Sequence, residues 1–258
     1  MYAWWRLSVA SFRMLYRDGQ VLLIAFLLPL IFVFAFRLFD LRIVLGDTPG
    51  LRDDAPSATG YFEFVLPGLL AMGIMHFAVF TVAIALSTFR DQQVLARISV
   101  TPMSPTAFLF GQLGSRVTLA LAQVAVLLAV GYLLGVRYGP GMLWLFLLVV
   151  PGSLIFLNIG FVLAGWTRSQ VAATGLANLV VLPLLFLSGV FLPVSALPAG
   201  VREAVTFLPL TPLTDLMRAA LLDVSAHTDP VTAALVLAGW LVASTVAAAA
   251  SFRRLLRR

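Results

Sequence analysis

The sequence has no lysine and no cysteine in its 258 residues. A P-loop needs a lysine that reaches the nucleotide phosphates, so these residues cannot form one. Without cysteine there are no disulfides, no thiol chemistry and no cysteine-ligated metal site. The two histidines, His76 and His227, are far apart, and no catalytic constellation stands out. We expect no enzyme activity, no metal site and no bound cofactor.

Charge is also scarce, at 11% of residues against 61% hydrophobic residues, and the mean hydropathy is +1.03. A soluble domain of this length would need more charge to cover its surface. All 17 basic residues are arginines, and they flank apolar segments instead of forming one basic patch. The high isoelectric point therefore indicates membrane topology, and we expect no nucleic-acid partner.

Long uncharged runs predict an all-α integral membrane protein with six transmembrane helices in a single domain, 1–258. A helix that crosses the ~30 Å hydrocarbon core needs ~20 apolar residues. The predicted spans are 20–39, 64–89, 106–136, 143–166, 172–193 and 230–252. Region 194–226 contains an apolar, proline-containing stretch too short to cross, which predicts interfacial or re-entrant helices.

Residues 1–18 are predicted to form an amphipathic helix in the membrane interface. At 100° per residue, Arg6, Arg13 and Arg17 fall within an arc of roughly 40°, and apolar side chains cover the rest. Such a helix turns its arginines toward lipid headgroups or a cytosolic partner. The alternative is an anchor that only fixes topology. No small-residue cleavage site follows the first span, so we expect it to be retained.

The distribution of arginine predicts the orientation. With the N-terminus inside, eleven of the 17 arginines lie on the inner side and nine of the eleven acidic residues lie on the outer side. The positive-inside rule therefore places both termini in the cytoplasm. Together with an arginine-only composition, this favours the inner membrane of a bacterium.

A polar insert follows span two and contains Arg90, Asp91, Gln92, Gln93 and Arg97. It ends at a pair of prolines, and Ser104 is placed to cap span three. Taken alone, the insert is a solvated loop. In a transporter, a short inward-facing loop tied to two spans is where a cytosolic motor would act.

Several motifs together resemble the permease subunits of type-2 ATP-binding-cassette (ABC-2) exporters. The similarity covers the length, the six spans and the following stretches: the 89–98 insert, Thr101-Pro102-Met103-Ser104, Gly111-Gln112, the 183–193 segment, Leu197-Pro198, the 207–212 segment and Asp215-Leu216-Met217-Arg218. This chain differs from the family at Asp91, where glutamate is common, and at Gln93-Val94, where Gly-Thr is frequent.

The resemblance implies that this chain is one of two permeases in a transporter. Two permeases, identical or different, would pair within the membrane lipids, and separate P-loop ATPase subunits carrying ATP and Mg²⁺ would dock below them. The ATPases would act on the insert and on the N-terminal helix. The substrate, moved outward, would be hydrophobic or amphipathic, such as a drug, a lipid or a lipid-linked glycan.

Polar residues inside the spans are candidates for the pathway or its gate. His76 and Asn178 form either contacts between helices or part of a path, and the same hydrogen-bonding role is expected of Asn158. Arg116 either reaches the headgroups or lines a cavity. Ser188 and Gly189 either gate the exit or simply end a helix.

Two other functions remain open. An ion-gradient-driven secondary transporter would have buried acids or inverted repeats near the midplane, and neither is evident. A lipid-modifying enzyme or assembly protein would have polar groups clustered at one interface, and these are absent from the sequence pattern.

Overall fold

The protein is all-helical in the parts that the computed structural model describes, which are residues 19–38, 61–93, 105–222 and 228–256. These contain eight α-helices, a short 3-10 turn at Val194–Ala196, and no strand. The helices are α1 (Gly19–Leu38), α2 (Tyr61–Asp91), α3 (Pro105–Leu133), α4 (Met142–Trp166), α5 (Gln170–Leu187), α6 (Ala199–Thr206), α7 (Leu210–Leu222) and α8 (Pro230–Leu256). The predicted all-α class is confirmed. The predicted N-terminal helix and Arg97 lie outside the described residues.

Five helices, α2 to α5 and α8, are long and apolar enough to cross a membrane. Helix α1 has 20 residues, which at 1.5 Å per residue reach about 30 Å, and its apolar part, Ala25–Leu38, is shorter than the other spans. Helices α6 and α7 form a pair bent by 79°, consistent with a broken span or a re-entrant loop. Helix is the expected form because a chain in lipid must satisfy its backbone hydrogen bonds internally.

Helix α5 is shorter than its predicted span of 172–193. Ser169 begins it, accepting a hydrogen bond from the Ala172 amide at 3.2 Å. The helix ends at Leu187 because the chain turns at Ser188 and Gly189, where Gly189 has φ +72°. A left-handed residue of this kind ends many helices, and glycine adopts it without strain.

Helix α2 is the centre of the bundle. It packs against α1, α3, α4, α5 and α7, most extensively against α4. It lies close to α4 at Gly160, where an added Cβ would be 2.8 Å from the Val79 carbonyl oxygen. Small residues allow such close packing, which drives helix association where lipid removes the hydrophobic contribution.

The two ends of the bundle differ in their polar groups, and we name each by its arginine. At the Arg90 end, α2 finishes beside the α4–α5 connection, which includes Thr167. At the Arg218 end, α2 begins beside α7 and the turn after α5. Helix α5 therefore runs from one end of the bundle to the other.

Candidate functional site

A buried ion pair lies at the Arg218 end. Arg218 Nη1 is 3.5 Å from Asp215 Oδ1, one turn away on α7, and these side chains are 9% and 3% exposed. Asp215 Oδ2 also accepts a hydrogen bond from Thr228 Oγ1 at 3.0 Å. The charge pattern of the sequence did not predict the burial of Arg218. The Asp-x-x-Arg spacing on a helix was the available signal.

The Arg218 guanidinium joins three elements. Its Nη2 donates to the Gly189 carbonyl at 3.0 Å, and its Nε donates to the Phe64 carbonyl at 3.3 Å. The guanidinium carbon lies 3.9 Å from the centre of the Phe64 ring. Arg218 thus holds α7, the start of α2 and the turn after α5 together. The turn contains Ser188, which is fully buried, and Gly189, the two predicted gate residues.

Aromatic side chains pack against one another at the Arg218 end. The Phe191 ring, which follows the α5 turn, stacks on Phe36 with centroids 5.5 Å apart and lies 5.8 Å from Phe32. The Tyr61 hydroxyl donates to the Phe191 carbonyl at 2.6 Å. Helices α1, α2 and α5 are therefore connected at the Arg218 end through the segment that follows α5.

An apolar cleft of about 470 Å³ lies between α3 and α4 near this end. It is lined by Ala125, Leu128, Ala129, Tyr132, Tyr138, Gly139, Met142 and Phe146. The Tyr138 hydroxyl donates to the Leu128 carbonyl at 2.6 Å. Burial raises the pKa of Tyr138 to about 12, so the phenol stays protonated at neutral pH.

The predicted coupling residues are partly described. Arg90 Nη1 donates to the Thr167 carbonyl at 2.5 Å, which ties the end of α2 to the α4–α5 connection. Gln92 and Gln93 follow α2 and are exposed. The Asp91 backbone ends α2, and its side chain lies outside the described residues, as do Arg6, Arg13 and Arg17.

Gln93 has φ +55°, a left-handed conformation that costs a residue with a Cβ about 1–2 kcal/mol. We expect Gln93→Gly to raise the free energy of unfolding by about 1 kcal/mol, because glycine adopts this conformation without strain. Unfolding in mixed detergent micelles would measure the change. Gln92→Gly is the matched control, because Gln92 has no positive φ and should gain nothing. Equal effects of the two substitutions would contradict the strain argument.

Arg116 is buried within the bundle, which does not fit the first of its two predicted alternatives, a side chain that reaches the headgroups. Its side chain is 4% exposed. Its Nη1 donates to the backbone carbonyl of Gln112 at 3.2 Å and also contacts the Gln112 side-chain oxygen. Its Nη2 donates to the Thr81 carbonyl of α2 at 3.3 Å. The guanidinium is held by neighbouring helices and does not extend to the bundle surface.

The remaining polar candidates lie in different parts of the bundle and make different contacts. His76 is partly buried in α2 and stacks on Phe80, with ring centroids 4.4 Å apart. Asn178 is exposed on α5. Asn158 donates to Ser244 Oγ at 3.3 Å and to Thr245 Oγ1 at 3.0 Å, so it bonds α4 to α8 as expected. The structure does not bring His76, Asn178 and Arg116 into one cluster through any described contact.

Comparison with known proteins identifies the family of this chain. Residues 2–222 match the family model described as ABC-2 type transporter. Nodulation protein J of Rhizobium leguminosarum bv. viciae is 27% identical over 186 residues, covering 72% of this chain and 70% of that protein. The daunorubicin resistance ABC transporter permease protein DrrB1 of Streptomyces coeruleorubidus is 27% identical over 165 residues, covering 61% and 56%.

These matches agree with the long apolar helices of the bundle. The chain belongs to the ABC-2 type transporter family, as a multi-pass membrane permease subunit.

Proposed function

We propose that this chain is the membrane half of an exporter driven by ATP hydrolysis in a separate P-loop ATPase subunit. The observation that carries the proposal is the family match over residues 2–222, combined with a chain that has no lysine for a P-loop of its own. ATP and Mg²⁺ would bind to the partner, and this chain would bind neither.

The proposed orientation places the Arg90 end in the cytoplasm and both termini on that side, in the inner membrane of a bacterium. The excess of arginine in the segments on that side supports it. The ATPase would then contact the insert that follows α2, with Arg90, Asp91, Gln92, Gln93 and Arg97. The interfacial helix at 1–18 would lie beside it.

Helix α5 offers a mechanical connection between the ATPase and the opposite side of the membrane. At its start, Arg90 holds the Thr167 carbonyl of the preceding connection. At its end, Arg218 holds the Gly189 carbonyl. A displacement of the α2 insert would move the start of α5, and the turn at Ser188 and Gly189 would move with it. In this proposal that turn is part of the exit gate.

The transporter would contain two such permeases, with lipid covering the rest of each. Helix α5 presents a mostly exposed surface that includes Val171, Asn178, Leu179, Leu182 and Phe186. An exposed amide among apolar side chains within a membrane span favours a protein partner, because lipid leaves the amide without hydrogen bonds. The translocation path would run between the two permeases.

The proposed substrate is hydrophobic or amphipathic, of the drug, lipid or lipid-linked glycan type. The apolar lining of the 470 Å³ cleft supports this, as does a relative named for daunorubicin resistance. Phosphoryl transfer would take place entirely in the ATPase, and this chain would supply the path and its gate.

Co-purification with the ATPase encoded beside this gene tests the proposal. We expect a stable complex that hydrolyses ATP, whereas this chain purified alone should not hydrolyse it. Failure to form a complex with any P-loop ATPase would contradict an ATP-driven exporter and favour ion-gradient coupling or lipid chemistry.

Variants with a single introduced cysteine test the proposed orientation in the membrane, because the chain has no cysteine of its own. In spheroplasts, a membrane-impermeant maleimide should label Gly200→Cys, at the Arg218 end, and should not label Gln92→Cys. Both positions are exposed, so accessibility within the protein is matched. The reverse labelling pattern would contradict cytoplasmic termini.

A further inference from the structure

Pro29 interrupts the backbone hydrogen bonds of α1. It lies inside the helix, which runs from Gly19 to Leu38. Because proline has no backbone N–H, the Ala25 carbonyl four residues earlier loses the partner that a regular helix would give it. The proline ring also crowds that carbonyl, and helices commonly bend at such a point. A carbonyl without a donor inside a membrane bundle is unfavourable, because lipid cannot supply one.

Gln123 of α3 supplies the missing donor. Its amide nitrogen donates to the Ala25 carbonyl at 2.8 Å. Gln123 is 1% exposed, so water does not compete for this bond. The opposite orientation of the amide would place two oxygens against each other, so only the nitrogen fits here. A side chain from another helix therefore replaces the backbone hydrogen bond that Pro29 removes.

Gly73 of α2 leaves the space in which this contact forms. A Cβ at Gly73 would lie 2.6 Å from the Gln123 amide nitrogen and 3.2 Å from Pro29 Cγ. The glycine thus admits both the amide and the proline ring where α1, α2 and α3 meet. We name Pro29, Gly73 and Gln123 the α1 junction.

The two parts of α1 on either side of the proline are held by different contacts. In the later part, the Phe32 and Phe36 rings pack against Phe191, with centroids 5.8 Å and 5.5 Å away. The earlier part, Gly19–Leu28, contains the carbonyl that Gln123 binds. Aromatic packing therefore anchors α1 at the Arg218 end, and a hydrogen bond to α3 holds the part that leads to the Arg90 end.

The bond from Gln123 is only part of what a buried amide needs. Gln123 Oε1 is buried and has no hydrogen-bond partner in the described part of the chain. A buried polar atom without a partner costs free energy, which offsets some of the stabilisation from the bond to Ala25. The restraint on α1 is therefore weaker than that of a fully bonded amide. It acts at the place where the helix lacks its own hydrogen bond.

We propose that the α1 junction is a conformational latch, in which Pro29 is a hinge and the hydrogen bond from Gln123 holds its angle. When that bond breaks, Gly19–Leu28 pivots about Pro29 while the rest of α1 stays packed at the Arg218 end. The Arg90 end of α1 can then change position without disturbing the aromatic packing. Gln123 acts as a positioning residue, and the proposal does not depend on the export function.

Distances between pairs of spin labels on the full chain, purified and placed in lipid nanodiscs, test the hinge. The chain has no cysteine, so labels can be attached to Gly19→Cys on α1 and Thr118→Cys on α3, both at exposed positions. With Gln123 present, we expect one narrow distance distribution. In Gln123→Met, a second population should appear, shifted by about 5 Å. Ten residues of helix span about 15 Å, and a change of about 20° in the kink moves their end by that amount.

A second label pair on the same two helices is the matched control. Leu38→Cys on α1 and Leu133→Cys on α3 are exposed and lie beyond the hinge, at the Arg218 end. Their distance should be the same with and without Gln123→Met. A shift of this pair equal to that of the first pair would mean that the whole helix moves, which would overturn the hinge.

Pro29→Ala separates a hinge from the mere loss of a contact between α1 and α3. Alanine restores the backbone N–H that bonds to the Ala25 carbonyl. Adding Gln123→Met to Pro29→Ala should therefore produce no second population. It should also lower the midpoint of thermal unfolding by less than half of the roughly 3 °C expected for Gln123→Met alone. A second population that persists in the double variant would overturn the proposal.

Gly73→Ala tests the latch while Gln123 is kept. Its Cβ would displace the Gln123 amide from the Ala25 carbonyl, so the second population should appear here too. Gly114→Ala is the control, because nothing lies within 4 Å of a Cβ at Gly114, and it should leave the distances unchanged. An unchanged distance between labels at 19 and 118 in both Gln123→Met and Gly73→Ala would contradict a latch at this junction.

Discussion

Arg218→Met should lower the free energy of unfolding by about 3–5 kcal/mol, the largest effect that we expect from a single substitution. The change removes the cation that pairs with Asp215 while the carboxylate stays buried. It also removes the hydrogen bonds to Gly189 and Phe64 that join α7 to α5 and α2. Unfolding of the purified protein in mixed micelles would measure the loss.

Two further variants separate the ion pair from a general effect of losing an arginine. Arg137→Met, at an exposed position, should change the stability by less than about 0.5 kcal/mol. Adding Asp215→Asn to Arg218→Met should recover part of the loss, because no uncompensated carboxylate remains and an amide oxygen can still accept from Thr228. A double variant that is no more stable than Arg218→Met would contradict the role assigned to the pair.

Gly160→Ala should destabilise the protein by about 1–3 kcal/mol, the second largest effect. The new Cβ would lie 2.8 Å from the Val79 carbonyl oxygen and 3.0 Å from Val82 Cβ. The nearest atom belongs to the backbone of α2, so no side-chain rotation relieves the contact, and α2 and α4 must move apart.

Gly239→Ala, on α8, is the matched control. Nothing lies within 4 Å of a Cβ at Gly239, and alanine has the higher helix propensity. This substitution should stabilise the protein by up to about 1 kcal/mol. The two glycine-to-alanine changes should therefore have opposite signs in the same unfolding assay. If Gly160→Ala were neutral or stabilising, α2 and α4 would be able to move apart at little cost, which would contradict the prediction.

Hydropathy was sufficient to predict that the apolar segments are helical. Each predicted span corresponds to a helix, and the bent pair α6–α7 lies within the region where short helices were expected. Lipid permits few alternatives to helix for a long apolar segment, so local composition nearly determines this level of structure. The end of α5 was harder to predict from the sequence, because more apolar residues follow Leu187. Only the turn at Ser188 and Gly189 ends the helix.

Partners of the polar side chains could not be predicted from local sequence. Arg218 bonds to Phe64, 154 residues earlier in the chain, and the count of arginines by segment gave no information about this contact. For Arg116 the sequence left two alternatives, a side chain that reaches the headgroups and one that lines a cavity. Its burial depends on Gln112 and on the Thr81 carbonyl of a different helix, which only the packing of α2 on α3 brings together.

In the proposed mechanism, ATP hydrolysis in a partner subunit acts at the Arg90 end and opens the Arg218 end. The rate at which an impermeant maleimide labels Ser188→Cys tests it most directly, and it requires no knowledge of the substrate. Ser188 is fully buried, and the chain has no other cysteine. The complex with the ATPase would be reconstituted in lipid and labelled with and without ATP and Mg²⁺.

We predict that ATP accelerates labelling of Ser188→Cys and that the acceleration falls about tenfold when Arg90, Asp91 and Arg97 are all replaced by alanine. ATP binding by the partner should persist in that variant, which would separate coupling from folding. A labelling rate that is unchanged by ATP in a complex that hydrolyses it would contradict this mechanism.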